Sequence, residues 1–287
     1  MTTVDAHAHL WDRRRFTYAW LDDQPALPTT YLAEDLSADA AGIDEFIFVQ
    51  ADCDPSEGFE EASWAQATMG GTSRLAGIVA FAPLEEPGAG DALSALDTID
   101  AVVGVRRLLQ DEDRSFFEFA GLSEGLAQVV RRGWTFDACV RWHQLDWLAT
   151  LARQHEDLTV VVDHLGKPPI KGSHREFKAW RRALALVAEL PNTVVKLSGL
   201  PAESTGGLPA EAFTPWLSEA IELFGTDRAM IGTDWPVSRS AAMTRGDWFQ
   251  IVRECTGVAG LDWELIAGLT SRQAYDLGTP SSPAQGG

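Results

Sequence analysis

Two histidines stand two positions apart near the beginning of the sequence, in the stretch VDAHAHLWD at residues 4–12. Successive side chains of a β-strand point to opposite faces, so His7 and His9 share one face, with Asp5 two residues earlier on it. Two imidazoles on one face can hold a single divalent cation and leave room for a carboxylate and a water. The alternative is a buried, hydrogen-bonded pair without a metal, and these residues alone leave both interpretations open.

Two later apolar runs end in residues that can perform acid–base chemistry. The stretch VVVDHLGKPP places Asp163, His164 and Lys167 after three valines, and the stretch MIGTDWP places Asp234 beside Trp235. A carboxylate in the position of Asp234 is suited to orient or deprotonate a water molecule. Either motif alone could serve only to cap a turn, but together with the histidine pair they predict a catalytic site.

The elements that must position these residues are short β-rich runs alternating with helical segments. In the segment 174–190, Phe177, Trp180, Leu184 and Val187 recur at steps of three and four residues, which is typical of an amphipathic helix. The predicted strands cover residues 4–10, 45–51, 74–83, 102–109, 134–140, 158–165, 193–199 and 229–236.

This alternation predicts a parallel sheet covered by helices, because each parallel crossover needs a connection of about a dozen residues or more. Eight such units favour closure into a (β/α)8 barrel, in which catalytic residues lie at the carboxyl ends of the strands. The alternative is an open doubly wound sheet, but neither G-x-G-x-x-G nor G-x-x-x-x-G-K-[ST] opens the first helix. We expect one domain over residues 1–280 and a flexible tail at 281–287.

Composition excludes several classes of partner. With 23 basic and 42 acidic residues the formal net charge is −19, so the protein would repel nucleic acid at long range. The three cysteines form no C-x-x-C motif and no even set, which fits a reducing compartment. Neither a signal peptide nor a run of about 18 apolar residues is evident, so we expect a cytoplasmic protein without membrane contact. The sequence leaves open whether it is a monomer or a homodimer.

Seven motifs occur in the order found in one known family: VDAHAHLWD, YAWL, GVRRLLQ, FDACV, VVVDHLGKP, VKLSGL and IGTDWP. The chain resembles the amidohydrolase superfamily, in the lactonase branch that includes L-fuconolactonase-like and L-rhamnonolactonase-like enzymes. It is also similar to 2-pyrone-4,6-dicarboxylate lactonase and sulfomuconolactone hydrolase. The resemblance spans essentially the whole chain. It implies a distorted TIM barrel that opens the lactone of a sugar acid or a related carboxylic acid at its upper mouth.

The resemblance also implies roles for individual residues. His7 and His9 match the metal-binding pair of the first strand, and Asp234 matches the general base, which can also be a metal ligand. His164 matches the histidine of the sixth strand and would stabilise the oxyanion. Arg106 matches a position that grips the substrate. Gln110 and Lys196, at other strand ends, are weaker candidates.

Position alone suggests further contacts with a substrate. Lys167 could meet a substrate carboxylate or only satisfy backbone carbonyls before the two prolines. Four tryptophans lie near predicted strand ends, where they could form apolar walls of a pocket: Trp11, Trp20, Trp142 and Trp235.

The chain departs from superfamily members that use two metals. Those members carry a carboxylated lysine on the fourth strand and a histidine on the fifth, whereas here the strands read VVGVRRLLQ and WTFDACV. The departure predicts one divalent cation, Zn²⁺ or Mn²⁺, or none. His143, just beyond the fifth strand, is a possible substitute ligand, although it is also placed to begin a helix.

Three functions from different classes fit these patterns. The first is hydrolysis of a small-molecule lactone such as L-fuconolactone or L-rhamnonolactone, with Asp234 assisting the attack of water. A muconolactone or pyrone carboxylate is an alternative substrate of the same reaction. The second is metal-dependent decarboxylation of an aromatic or unsaturated acid, and the third is ligand binding without catalysis. The sequence does not specify the sugar, the ring size or the stereochemistry.

Overall fold

A computed structural model describes residues 2–39, 42–69, 74–204 and 207–278 of the 287-residue chain. The predicted tail at 281–287 lies outside the described residues, as does the predicted domain boundary at residue 280. No helix in the described ranges is both long and apolar enough to cross a membrane.

Eight parallel strands form one sheet in which each strand pairs with the next along the chain. We number them β1 to β8: Val4–Ala8, Glu45–Val49, Arg74–Phe81, Val102–Leu108, Thr135–Cys139, Val160–Val162, Thr193–Leu197 and Ala229–Ile231. A short antiparallel ribbon, Trp11–Asp12 with Thr30–Tyr31, follows β1.

Helices flank the strands along the chain. The α-helices α1 to α12 span Ala33–Ala38, Gly58–Met69, Ala89–Leu96, Arg114–Phe117, Ala120–Arg131, Leu145–Gln154, His174–Ala188, Leu200–Glu203, Thr214–Phe224, Arg245–Thr256, Gly260–Glu264 and Thr270–Ala274. A single π-helical turn, Leu265–Leu269, joins α11 to α12.

The sheet closes between its first and last strands. The His9 amide donates to the Trp235 carbonyl at 2.7 Å, and the Asp234 amide donates to the His7 carbonyl at 2.8 Å. The prediction of a (β/α)8 barrel is therefore confirmed, and the open-sheet alternative is excluded. Register shifts interrupt three of the strand pairings, β1–β2, β2–β3 and β3–β4, which accounts for the distortion.

Two hydrophobic clusters separate the inside of the barrel from its outside. The larger one packs helices against the sheet, and Trp180 of α7 is fully buried in it. The smaller one collects side chains from several strands around Tyr275, including Val4, Val161 and Met230, and it fills the barrel interior. Because side chains from strands across the sheet meet there, the interior is a packed core rather than a channel.

Helix α7 forms as its sequence predicts. The Ser173 hydroxyl accepts from the Glu176 amide while the Glu176 carboxylate accepts from the Ser173 amide, which makes a capping box. The face carrying Trp180 is buried, and its indole N–H donates to the Leu165 carbonyl at 2.9 Å. The helix thereby supports the turn that follows β6.

Candidate active site

The two histidines of the first strand meet at the upper end of the barrel. Their Nε2 atoms lie 3.1 Å apart, and the His9 Nδ1 lies 2.7 Å from the Val49 carbonyl oxygen. Because a carbonyl oxygen only accepts, the proton of neutral His9 sits on Nδ1, and Nε2 presents its lone pair to the site. This is the tautomer that a metal ligand requires.

Asp5 does not join the histidines, although strict alternation along β1 would place it with them. The register of β1 against β2 shifts between Asp5 and Ala8, which breaks the alternation. The Asp5 carboxylate instead accepts from the Arg245 guanidinium of α10 at 2.9 Å and from the Thr233 hydroxyl at 2.6 Å. It therefore ties α10 to the segment that follows β8.

Asp234 lies among three imidazoles. Its Oδ1 is 3.4 Å from Nε2 of His9, 3.9 Å from Nε2 of His7 and 4.0 Å from Nε2 of His164. The residue follows β8 with φ of 54°, a left-handed conformation that turns the chain out of the strand direction. The convergence predicted from four distant positions is thus present in the structure.

His164 is fixed by contacts on several sides. Its Nδ1 lies 2.9 Å from the Ser198 hydroxyl, and its φ of 55° places it in a turn directly after β6. Gly199 packs against the ring so closely that a Cβ at that position would lie 2.5 Å from the His164 Cγ. Ser198 can donate only if Nδ1 carries no proton, and in that arrangement Nε2–H faces Asp234.

Burial and neighbouring charges set the protonation states. Burial, reinforced by the charge of Lys196, holds the pKa of His7 well below its usual value. Burial lowers the pKa of His164 to about 4. Burial alone would raise the pKa of Asp234, but the neighbouring His164 and then the contacts with His9 and His7 lower it below its usual value. At neutral pH the site therefore combines an ionised carboxylate with uncharged imidazoles of His7 and His164.

A buried ionic network supports the site from below. The Lys196 ammonium contacts Asp137 at 2.5 Å, Asp163 at 3.1 Å and Nδ1 of His7 at 3.1 Å, and these side chains are fully buried. Asp163 also lies 3.2 Å from the same nitrogen of His7. The Asp137 carboxylate accepts from the Tyr275 hydroxyl, which links the network to the apolar interior. Lys196 is therefore part of the support beneath the histidines.

Arg106 lies between this network and the site. Its Nη1 is 3.3 Å from Asp163 and 3.3 Å from Nε2 of His7, while its Nη2 donates to the Gln50 carbonyl. The Nε of Arg106 is buried and has no hydrogen-bond partner within the described part of the chain. The guanidinium is thus held in place while it still contributes to the cavity wall.

A cavity of about 190 Å³ opens above these residues. Six residues singled out from the sequence line it: His9, Arg106, Gln110, His164, Lys167 and Asp234. His7 is fully buried behind them. The cavity walls also include Trp20, which the sequence placed near a strand end, and Asp52, Cys139 and Glu203, which the sequence did not assign to the site.

A feature of the sequence points to each of two of these residues, Trp20 and Glu203. Trp20 belongs to the YAWL motif, and its indole N–H donates to the Ala51 carbonyl at 2.8 Å, which holds the ring at the cavity wall. Glu203 lies in the Gly- and Pro-rich stretch 201–213 that follows β7. Loops at this end of a barrel commonly contribute to the site.

Two of the predicted tryptophan contacts, Trp142 and Trp235, lie elsewhere. Trp235 is buried, donates its indole N–H to Asp39 at 2.9 Å and borders a neighbouring cavity. Trp142 packs against the outer hydrophobic cluster beside His143. Neither tryptophan is among the residues that line the cavity above Asp234. His143 is exposed on the turn that leads into α6 and belongs to neither potential ligand group of the described residues.

The donor set fits a divalent cation. Two groups of side chains bring ligand atoms within 4.8 Å of one another: His7, His9 and Asp234, and His7, Asp163 and His164. Imidazole nitrogens with a carboxylate oxygen suit Zn²⁺ or Mn²⁺. The first group also has the His9 tautomer that coordination requires, although an N–H of Arg106 is directed at the His7 nitrogen that would coordinate.

Comparison with known proteins gives consistent results. The family model described as Amidohydrolase matches residues 4–259. An L-fucono-1,5-lactonase of Burkholderia multivorans is 31% identical over 252 residues, which cover 83% of each chain. An L-fucono-1,5-lactonase of Burkholderia ambifaria is 28% identical over 258 residues, covering 88% of this chain and 87% of that protein.

A similar solved structure has been determined with a bound metal. It is the crystal structure of an amidohydrolase from Burkholderia multivorans with bound zinc, with a TM-score of 0.87 and 26% sequence identity. The alignment covers 97% of this chain and 100% of that chain.

Proposed function

This chain belongs to the amidohydrolase family, and from that membership and the geometry of the site we propose that it hydrolyses the lactone ring of a sugar acid. The observation that carries the proposal is the ionised Asp234 carboxylate, which lies among three imidazoles at the floor of an open cavity. Relatives that match most of the chain are named L-fucono-1,5-lactonase. An aldonolactone of this kind is therefore the first substrate to test.

The residues provide the groups that ester hydrolysis needs. Asp234 accepts a proton from a water molecule as it attacks the lactone carbonyl, and its lowered pKa keeps it available as a base at neutral pH. In the tautomer whose Nδ1 accepts from the Ser198 hydroxyl, His164 presents Nε2–H to the developing oxyanion. Arg106 orients the ring from the cavity wall. Collapse of the tetrahedral intermediate breaks the ring C–O bond, and the proton held by Asp234 passes to the ring oxygen, which leaves a hydroxy acid.

A divalent cation would be held by His7, His9 and Asp234, whose ligand atoms already lie together. When bound, it would polarise the carbonyl oxygen as a Lewis acid. Asp234 holds and moves the proton, and the network beneath His7 fixes the ring that faces the site.

The test is proton release from a panel of aldonolactones by purified protein, followed with a pH indicator. Wild-type protein should release one proton for each ring opened, because the product ionises at neutral pH. Asp234→Asn should lower kcat by about 10²- to 10⁴-fold, the usual contribution of a general base. Asp91→Asn, at an exposed position on α3, is the matched control and should leave the rate unchanged.

Two results would contradict the proposal. Near-normal turnover by Asp234→Asn would exclude Asp234 as the base. Release of CO₂ from aromatic or unsaturated acids, with no lactone hydrolysed, would instead identify the protein as a decarboxylase.

A further inference from the structure

The basic side chains in the described lining of the cavity are already paired with acids. The bases in the lining are Arg106 and Lys167, and the acids are Asp52, Glu203 and Asp234, so the formal charge of the lining is negative. Both bases already have acidic partners within the described residues. Arg106 lies 3.3 Å from Asp163, and Lys167 lies 3.2 Å from Glu203. A carboxylate that entered this cavity would find its potential partners neutralised and other acids beside it.

Lys167 and Glu203 can together form hydrogen bonds with hydroxyl groups. The Lys167 ammonium donates to the Gln110 amide oxygen at 2.6 Å and contacts one oxygen of Glu203. An ammonium has three donors, so one remains after these two contacts. The Glu203 side chain is 32% exposed, and its second carboxylate oxygen is free to accept within the described structure. Together the two side chains present a donor and an acceptor, which is the combination that sugar hydroxyls can satisfy.

Lys167 and Glu203 have fixed positions relative to His164. Lys167 ends the turn that carries His164, and its amide donates to the His164 carbonyl at 2.8 Å. Glu203 ends α8, which begins directly after Gly199, the residue packed against the His164 ring. A ligand contacting the pair would therefore be positioned relative to His164 by short segments of chain.

We propose that Lys167 and Glu203 determine specificity by binding hydroxyl groups of an uncharged lactone and rejecting lactones that carry a free carboxylate. This inference rests on the proposed lactonase function and names its substrate class.

The experiment compares kcat/KM for neutral aldonolactones with kcat/KM for carboxylated lactones, using a muconolactone and 2-pyrone-4,6-dicarboxylate as probes. Wild-type protein should prefer the neutral class. Glu203→Gln keeps the shape, removes the charged acceptor and leaves Lys167 without its acidic partner. It should lower kcat/KM for the neutral lactones by about tenfold or more, as expected for loss of a hydrogen bond to a charged group. It should raise kcat/KM for the carboxylated probes.

Glu189→Gln, at an exposed position at the end of α7, is the matched control and should leave the preference unchanged. An unchanged melting transition of Glu203→Gln would show that the variant is folded. A preference that is the same in Glu203→Gln and wild type, or a wild-type preference for the carboxylated probes, would overturn the specificity role while lactonase activity stands. Absence of hydrolysis of every lactone would overturn the proposed function and, with it, this inference.

Discussion

Replacement of Lys196 by methionine tests whether the buried ionic network supports the fold beneath the site. Methionine keeps an unbranched side chain of similar length and removes the ammonium. The change leaves Asp137 and Asp163 without the cation that lies 2.5 and 3.1 Å from them, in a region where all three side chains are 0% exposed. Arg106 still lies 3.3 Å from Asp163, so Asp137 loses more of its compensation.

The expected cost follows from that burial. Removing one partner of a buried ion pair typically destabilises a protein by about 3–5 kcal/mol, because an uncompensated charge remains. At roughly 2–4 °C for each kcal/mol in a chain of this size, the melting temperature should fall by about 6–20 °C. The loss in the free energy of unfolding is smaller when Asp137 is protonated. Burial already raises the pKa of Asp137, and removal of Lys196 raises it further. Protonation of Asp137 then removes the uncompensated charge.

The sign of the pH dependence follows from the same argument. A carboxyl whose pKa is raised in the folded state contributes stability at low pH and loses it as pH rises through the folded-state pKa. The deficit of Lys196→Met should therefore be smaller at mildly acidic pH than at alkaline pH. Urea unfolding followed by tryptophan fluorescence at several pH values measures this deficit.

Lys178→Met is the matched control, because Lys178 is exposed on α7, and it should change the free energy of unfolding by less than about 0.5 kcal/mol. A deficit for Lys196→Met as small as that of the control would refute the role of the network. A loss of several kcal/mol in the free energy of unfolding that grows as the pH is lowered would refute the predicted protonation of Asp137.

Three further predictions concern the site itself. In a pH profile, kcat/KM should hold through neutral pH and fall as pH drops through about 4, where His164 gains a proton and its positive charge, 4.0 Å from Asp234, weakens that carboxylate as a base. An acid limb near neutral pH would contradict this. Gly199→Ala should lose stability and activity, because its Cβ would lie 2.5 Å from the His164 ring, whereas Gly257→Ala, with similar φ and nothing within 4 Å, should cost only the roughly 1–2 kcal/mol of a left-handed residue. Calorimetric titration with Zn²⁺ should show one site in wild-type protein and none in His9→Ala, and equal binding by both would place the cation elsewhere.

The parts of the site that sequence reasoning identified depend on local geometry. His7 and His9 share a strand, and His164 and Asp234 each follow an apolar run, so the barrel topology brings them to one end. The strands themselves are shorter than predicted. Residues 158–165 were expected to be strand, but β6 spans only Val160–Val162, and a turn with four consecutive residues of positive φ, His164 to Lys167, follows. That turn depends on Gly199 and Trp180, which lie far along the chain, so the local pattern could not indicate it.

The contacts between distant residues could not be predicted for the same reason. Lys196 alternates with valines in TVVKL, a pattern that identifies a strand but not the partners of a lysine. Its partners come from β5, from the turn after β6 and from β1, and only the closed barrel brings them together. Trp235 stands next to the proposed base, yet the left-handed conformation of Asp234 redirects the chain there. Adjacent residues consequently border different cavities.

Closure of the barrel and assembly of the proposed site depend on the same bonds. The backbone hydrogen bonds that join the first strand to the segment after the last one run between His7 and Asp234 and between His9 and Trp235. The side chains of His7, His9 and Asp234 are those that meet above the junction. A local opening of this seam would separate the base from both imidazoles, because no other strand within residues 2–39, 42–69, 74–204 and 207–278 connects these two ends of the sheet. Asp5 adds a side-chain contact across the seam to Thr233, so a buried carboxylate without a proposed catalytic role helps to keep the site assembled.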